Sequence, residues 1–206
     1  MHSIEIEEIL LATRNPDKVR ELAVLLGDLG ISIRTLADFP TAPEVEEDGI
    51  TCEANALKKA REMASATGIP SVADDTGLEV DALGGRPGVF AARYAGESAT
   101  YEDNCRKLLE ELDGVPPARR TARFITVAAL AMPGGHSRVA TGTLVGAIAE
   151  EFVGTQGFGY DPVFFVPELG RTLAELTAEE KNRISHRAKA FRSMADILRP
   201  LTAGKL

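Results

Sequence analysis

Four groups of side chains have the types and spacing to do chemistry. The first is Thr13-Arg14-Asn15-Pro16-Asp17-Lys18, directly after the apolar run Ile9-Leu10-Leu11-Ala12. Asn15 suits a helix N-cap, Pro16 the first helical position and Asp17 the first turn. A strand feeding a helix start points N–H groups and the positive end of the helix dipole at the loop, which suits a phosphate. Thr13 adds a hydroxyl and Lys18 a mobile cation. The same residues also suit a plain capped helix with a surface lysine. The turn is not a P-loop, because the glycines and the Gly-Lys-Ser/Thr ending are absent.

The second group is acidic. Glu46-Glu47 lies in an acid-rich loop, and Asp74-Asp75 follows the apolar run from Pro70 to Ala73. If that strand continues, adjacent carboxylates face opposite ways, so one can look into a site while the other anchors the loop. Mg²⁺ takes one or two carboxylates together with water and substrate phosphates. A solvated acidic loop, and turn chemistry for Asp74-Asp75-Thr76-Gly77, are the plainer alternatives.

The third group is Gly154-Thr155-Gln156-Gly157-Phe158-Gly159-Tyr160-Asp161-Pro162. It is not the dinucleotide fingerprint. Phe158 and Tyr160 can flank a planar base, and Asp161 can accept a hydrogen bond from ribose or base. The alternative is a tight connection with one aromatic packed inward. The fourth group is Lys181 with Ser185-His186-Arg187-Ala188. Cations in a first helical turn oppose the macrodipole, so a bound anion or a base carbonyl would account for them; an exposed, solvated pair is the other reading.

The elements needed to position these groups alternate early. Ile9–Ala12 reads as a strand, and the helix after Asn15 carries Val19, Leu22, Leu25, Leu26 and Leu29 inward until Gly30. A second strand is expected at Ile31–Thr35, a helix at Thr51–Ala66 stopping at Gly68, and short strands at Pro70–Ala73 and Leu78–Val80. Thr100 with Asp103, and Thr177 with Glu180, have capping-box spacing. Thr121–Met132 and Arg138–Glu150 read as a strand pair around Pro133-Gly134-Gly135, followed by a strand at Val163–Val166. Ser185 is placed to cap a last helix carrying Ile197 and Leu198 inward. Helices alternating with strands and then a long antiparallel pair predict a mixed α/β architecture.

Composition sets limits. The chain has 206 residues, 44% hydrophobic and 26% charged, with a formal net charge of -8. That charge argues against a broad face for nucleic acid, so an anionic substrate must meet a local cluster of cations. No apolar run approaches the roughly 20 residues that span a bilayer. The start, MHSIEIEEIL, does not read as a signal peptide. Cys52 and Cys105 are far apart in helical contexts, which predicts no zinc site and suits a reducing cytoplasm.

The ordered segments LLATRNPDKVRELAVLL, EEDGITCEANALKKA, ADDTGLEVDALGGRPGVFAARYAG, GTQGFGYDPVFF and LTAEEKNRISHRAKA resemble the noncanonical purine nucleoside triphosphate pyrophosphatases, also called the inosine triphosphatase family. The likeness runs from Leu10 to about Phe191. It implies a two-lobed α/β fold with a mixed sheet, the active site in the cleft between the lobes, and a homodimer. It implies hydrolysis of ITP, dITP and XTP to the monophosphate and pyrophosphate with Mg²⁺, removing deaminated purines from the nucleotide pool. Thr13 to Lys18 resemble the family's triphosphate turn. Asp75 resembles its proton acceptor and metal ligand, with Glu47 (or its neighbour Glu46) as a second acidic ligand. Lys59 matches a catalytic helix lysine facing the phosphates. Thr76 stands where relatives often have Ser, and Phe158, Gly159, Tyr160, Asp161, Lys181, His186 and Arg187 fall on nucleotide-recognition positions. Cys52 replaces a common Phe, and Glu53-Ala54-Asn55 departs from the usual Glu-Asn order. Two other readings are a related pyrophosphatase with another base preference, and a non-catalytic nucleotide-binding module, which would be expected to lose the metal carboxylates.

Overall fold

The computed structural model describes residues 5–202. The first four residues of the amino-terminal stretch read above lie outside the described residues. Among the described residues there are eight strands and five α-helices. In chain order they are β1 (Glu8–Leu11), α1 (Pro16–Leu26), β2 (Ser32–Thr35), α2 (Cys52–Thr67), β3 (Ser71–Val80), β4 (Pro87–Gly88), α3 (Tyr101–Glu111), β5 (Thr121–Ala131), β6 (Ser137–Ile148), β7 (Phe164–Val166), β8 (Arg171–Thr172), α4 (Ala178–Ile184) and α5 (His186–Leu198). The sheet runs β2-β1-β3-β5-β6-β7-β8, with β4 on β3. β1 pairs in parallel with β2 and β3, whereas β3–β4, β6–β7 and β7–β8 are antiparallel. The expected mixed α/β class is therefore the one that forms.

The chain separates into two compact units. One holds the residues up to Asp75, Thr126–Gly142 and those from Arg187 on; the other holds Thr76–Ile125 and Thr143–His186. The first unit is layered by the period-two alternation of its strands. Ile9 and Leu11 join Val72, Ala128 and Leu130 beneath Leu22 and Leu26 of α1 and Phe191, Met194 and Leu198 of α5. Leu10 and Ala12 join Ala73, Val127 and Ala129 beneath Ala56, Ala60 and Met63 of α2. α1 begins as its sequence dictates: the Asn15 side chain accepts from the N–H groups of Asp17 and Lys18, and Pro16 opens the helix. It closes earlier than expected, at Leu26, and one 3₁₀ turn carries the chain to Gly30 at φ 67°. α2 is capped by Thr51 and ended by Gly68 at φ 73°.

One expectation is corrected. Asp74-Asp75-Thr76-Gly77 is not a turn between two short strands; it lies inside the ten-residue strand β3. Asp and Gly disfavour strands, but that preference is weak against tertiary contacts, and here both carboxylates find cations.

The second unit has one core, in which Leu78 and Val80 of β3 meet Leu108 and Leu112, Phe124, Leu144 and Ile148, and Phe164 and Leu176. α3 starts with the full Thr100–Asp103 capping box. Its end is held by a group the sequence did not advertise. Arg120, only 5% exposed, donates to the carbonyls of Leu112, Val115 and Ala149 at 2.8, 2.9 and 2.9 Å. A cation suits the negative end of a helix, and buried carbonyls left bare are costly. Replacing Arg120 with Ala should lower stability by about 3 kcal/mol, read as a shift in the urea unfolding midpoint. A change within about 0.5 kcal/mol, as for an ordinary surface position, would show that these carbonyls do not need the arginine.

Candidate active site

In the first unit the chain goes from β1 to β2 on one side and then crosses to β3 on the other. Between the carboxyl ends of β1 and β3 lies the place where the strand order reverses, the usual ligand position of open α/β sheets. The turn Thr13–Lys18 follows β1, and Asp74 and Asp75 stand in β3. Thr13 Oγ1 accepts from Asn15 N at 3.2 Å, so the hydroxyl helps shape the turn. Asp17 pairs with Arg20, and exposed Arg14 donates to the Ala42 carbonyl at 2.9 Å.

The two aspartates face opposite sides of β3, as adjacent strand residues must. Asp74 belongs to the α1 and α5 side. Its Oδ2 lies 3.1 Å from Lys18 Nζ and accepts from Arg187 Nε at 3.2 Å. Arg187 also donates to Glu21 Oε2 at 2.9 Å. Burial acts to raise the Asp74 pKa, but the charges of Lys18, Arg187 and Lys59 outweigh it and hold the carboxyl well below its usual range. Burial lowers the Lys18 pKa, with Asp74 opposing and the neighbouring cations Lys59 and Arg187 adding to the fall.

Asp75 belongs to the α2 side. Lys59 Nζ lies 3.8 Å from Asp75 Oδ1, 3.0 Å from Glu47 Oε1 and 2.8 Å from the Asp74 carbonyl. Asn55 Nδ2 donates to Asp75 Oδ2 at 3.2 Å. The Asp75 pKa is raised: burial is the main cause and the Glu47 charge adds to it, against Lys59, Lys18 and Asn55. Cys52 lies against the same carboxylate, and burial together with Asp75 pushes its thiol up to about 12, so it stays protonated at neutral pH. Of the two loop acids, Glu47 is the one paired with Lys59, while Glu46 is exposed.

Among the described residues no group of three or more His, Cys, Asp or Glu could hold a metal ion. Two carboxylates, Asp75 and Glu47, are gathered on one ammonium. That donor set is short of a protein-only cage but fits Mg²⁺, which completes its shell with water and phosphate oxygens.

The remaining candidates, apart from Arg187, fall in the second unit. Thr76 is its first residue and is half-buried. Asp161, 3% exposed, accepts from Phe158 N at 2.9 Å and from Lys181 Nζ at 2.6 Å. The same ammonium lies 4.8 Å from the centre of the half-buried Phe158 ring. Gly159 sits at φ 64° and its carbonyl meets Cys105 Sγ. Tyr160 packs inward, and its hydroxyl donates to the Ala91 carbonyl at 2.8 Å; a ring so placed belongs to the core, so of the two aromatics Phe158 is the one left half-exposed. His186 is buried and stacks on Phe124 with ring centres 4.4 Å apart. Arg187, grouped by sequence with His186, instead joins Asp74, Glu21 and Lys18 in the first unit.

Sequence reading passed over Asp74 as a hub, and with it Glu21 and Asn55. Two signals were available. Glu21 stands three residues after Lys18, and Cys52, Asn55 and Lys59 share one face of α2 by spacing.

A model of the Ham1 family matches residues 9–197. The chain belongs to the Ham1 family. The dITP/XTP pyrophosphatase of Geobacillus kaustophilus is 51% identical over 200 residues, covering 97% of this chain and 98% of that protein. The dITP/XTP pyrophosphatase of Geobacter sulfurreducens is 53% identical over 190 residues, 92% of this chain and 96% of that protein. Among solved structures, a HAM1 protein from Coxiella burnetii aligns with a TM-score of 0.85 at 42% identity, over 94% of this chain and 98% of that one. The Ham1 assignment agrees with the resemblance carried by the five sequence segments.

The geometry makes Asp74 the shared partner of buried Arg187 and half-buried Lys18 in this Ham1 protein. Asp74→Asn keeps the shape but removes the charge. It should cost about 3–5 kcal/mol, as for breaking a buried ion pair, in urea unfolding. A loss below about 1 kcal/mol, the range of exposed pairs, would show that Lys18 and Arg187 do not depend on it.

Proposed function

We propose that this protein hydrolyses ITP, dITP and XTP to the monophosphate and pyrophosphate by attack of water on the α-phosphorus. The observation that carries the reading is the convergence of Asp75, Glu47 and Lys59 beside the phosphate turn that ends in Lys18. The names of the Ham1 relatives, dITP/XTP pyrophosphatases, support the same chemistry.

The helix start at Asn15–Lys18 and the Thr13 hydroxyl receive phosphate oxygens. Lys18 and Lys59 offset negative charge that grows on the leaving pyrophosphate. Asp75 and Glu47 would hold Mg²⁺, which when bound neutralises charge on the phosphate oxygens. Asp75 orients the water and accepts its proton as the new oxygen–phosphorus bond forms and the bond from the α-phosphorus to the bridging oxygen breaks. The retained carboxylates of Asp75 and Glu47 favour this reading over a non-catalytic binding module.

Base selection falls to the second unit. Hypoxanthine and xanthine present an acceptor at position 6 where adenine presents a donor. Lys181 and His186 bring donors, and Phe158 brings a ring for stacking. A donor facing the adenine amino group is left unpaired, which discriminates strongly. Guanine shares the 6-oxo group, so its exclusion rests on the 2-amino group. A cytoplasmic homodimer completes the reading, on the strength of the family resemblance; among the described residues no helix is long and apolar enough to cross a membrane.

Pyrophosphate release measured across ITP, dITP, XTP, GTP and ATP tests the substrate class. The expected kcat/KM for ITP, dITP and XTP exceeds that for ATP by at least about 10²-fold, with activity lost in chelator and restored by Mg²⁺. Equal rates for ATP and ITP would leave a pyrophosphatase of another base preference.

Asp75→Asn tests the chemistry. Turnover should fall by at least about 10²-fold, the low end for general-base effects, in a variant whose circular dichroism matches the parent. Near-normal turnover would remove Asp75 from the reaction.

A further inference from the structure

Asn55 forms a link that none of the roles above uses. It is 1% exposed on α2, and both ends of its amide are engaged. Oδ1 accepts from the Gly49 N–H at 2.8 Å, and Nδ2 donates to Asp75 Oδ2 at 3.2 Å. The amide cannot be turned over. A backbone N–H only donates and an ionised carboxylate only accepts, so oxygen must face the loop and nitrogen the strand. The loop comes unusually close: a Cβ on Gly49 would sit 2.5 Å from Asn55 Oδ1. Glycine is what lets the chain pass there.

The residues around Gly49 include the candidate metal ligand Glu47, and the segment is held on α2 at successive points. Glu47 pairs with Lys59 at 3.0 Å and Asp48 with Lys58 at 2.8 Å. Lys58–Asp48 is exposed and reaches no strand. Lys59 does connect Glu47 with Asp75, but it is a cation beside the phosphate turn, and an incoming triphosphate competes for it. The amide of Asn55 is neutral and has no such competitor. It also decides which carboxylate oxygen is engaged: Oδ2 is taken by Asn55, and Oδ1 is the oxygen turned towards Lys59.

We propose that Asn55 is a positioning residue for the pyrophosphohydrolase reaction. It clamps the Glu47 loop to the Asp75 carboxylate, so that the two acids keep one arrangement when Lys59 turns to substrate. The clamp's part in the reaction rests on the reading that Asp75 and Glu47 act together on a nucleoside triphosphate.

The test uses the full chain in two arms. Without nucleotide or metal, amide hydrogen exchange at Gly49 reads the clamp directly. Asn55→Ala and, from the far end, Asp75→Ala should each speed it by about 10-fold, the equivalent of one net hydrogen bond. With ITP and Mg²⁺, Asn55→Ala should lower kcat by about 10- to 100-fold, as losses of groups supporting a metal ligand do, with KM within about threefold. Gly49→Ala attacks the same link from the loop and should give the same split. The double variant should be no worse than the worse single, because both break one link. Unchanged exchange at Gly49 overturns the clamp, as does full additivity of the two substitutions. A lower melting temperature with parental kcat reduces Asn55 to a structural loop anchor and also overturns the proposal. A parent without pyrophosphatase activity overturns the functional reading instead, and the exchange arm then still decides whether the clamp exists.

Discussion

A carboxylate with none of its side chain exposed, Asp74, sits between Lys18 and Arg187, and much of the first unit follows from that burial. An unpaired charge in such a place is strongly unfavourable, whereas a paired and hydrogen-bonded one is tolerated. The start of α1 and the start of α5 must therefore both reach β3 at this residue. Lys18 is bound to the turn after β1 by being the third residue of α1. Arg187 arrives from 113 residues further along the chain and is itself steadied by Glu21, one turn after Lys18. The Thr13–Lys18 turn, the strand and the beginning of the last helix are thus fixed relative to each other by one side chain.

The strand period then divides the labour between neighbours. Because Asp74 faces the α1 and α5 side, Asp75 must face α2. One aspartate is satisfied by two close cations and stays ionised. The next meets one ammonium at 3.8 Å, an amide and a thiol. Around the pair, Lys18, Lys59 and Arg187 stand against Asp74, Asp75, Glu47 and Glu21. A cluster with more carboxylates than cations does not by itself attract a triphosphate. On the proposed reading, a divalent cation that arrives with the nucleotide offsets part of the negative charge the triphosphate adds to this cluster.

Local signals were legible and distant ones were not. Asn15 with Pro16, the Thr100–Asp103 and Thr177–Glu180 boxes and Gly68 act within a few residues, so spacing alone places them. The apolar stripe puts the end of α1 three residues late, because Leu29 keeps the stripe going although the backbone has already tightened into a 3₁₀ turn. Asp-Asp-Thr-Gly has the composition of a turn, which splits β3 in two on sequence alone, and Lys18, Lys59, Arg187 and Asn55 make it tolerable inside a strand. The partnership of Arg187 with Asp74 depends on how α5 packs, and no local pattern records that. Asn55 was hidden for a different reason: spacing puts it on the same helical face as Lys59, but spacing does not name the two partners of its amide.

The second unit repeats the device of the first. Asp161 is buried, and its Oδ2 takes both the Phe158 N–H and the Lys181 ammonium. A Cβ on Gly157 would lie 2.0 Å from that same oxygen, so glycine at φ 75° is what lets the loop close over the carboxylate. One acid thereby sets the height of the loop and the position of the cation. The cation in turn lies over the Phe158 ring, so the aromatic face and the donor beside it are placed together and not by separate contacts. If these residues select the base, as proposed, the selectivity follows from that rigidity. Under that proposal Lys181 cannot retreat from an adenine amino group without giving up Asp161, and a carboxylate left alone at 3% exposure would cost more than the mismatch it relieves.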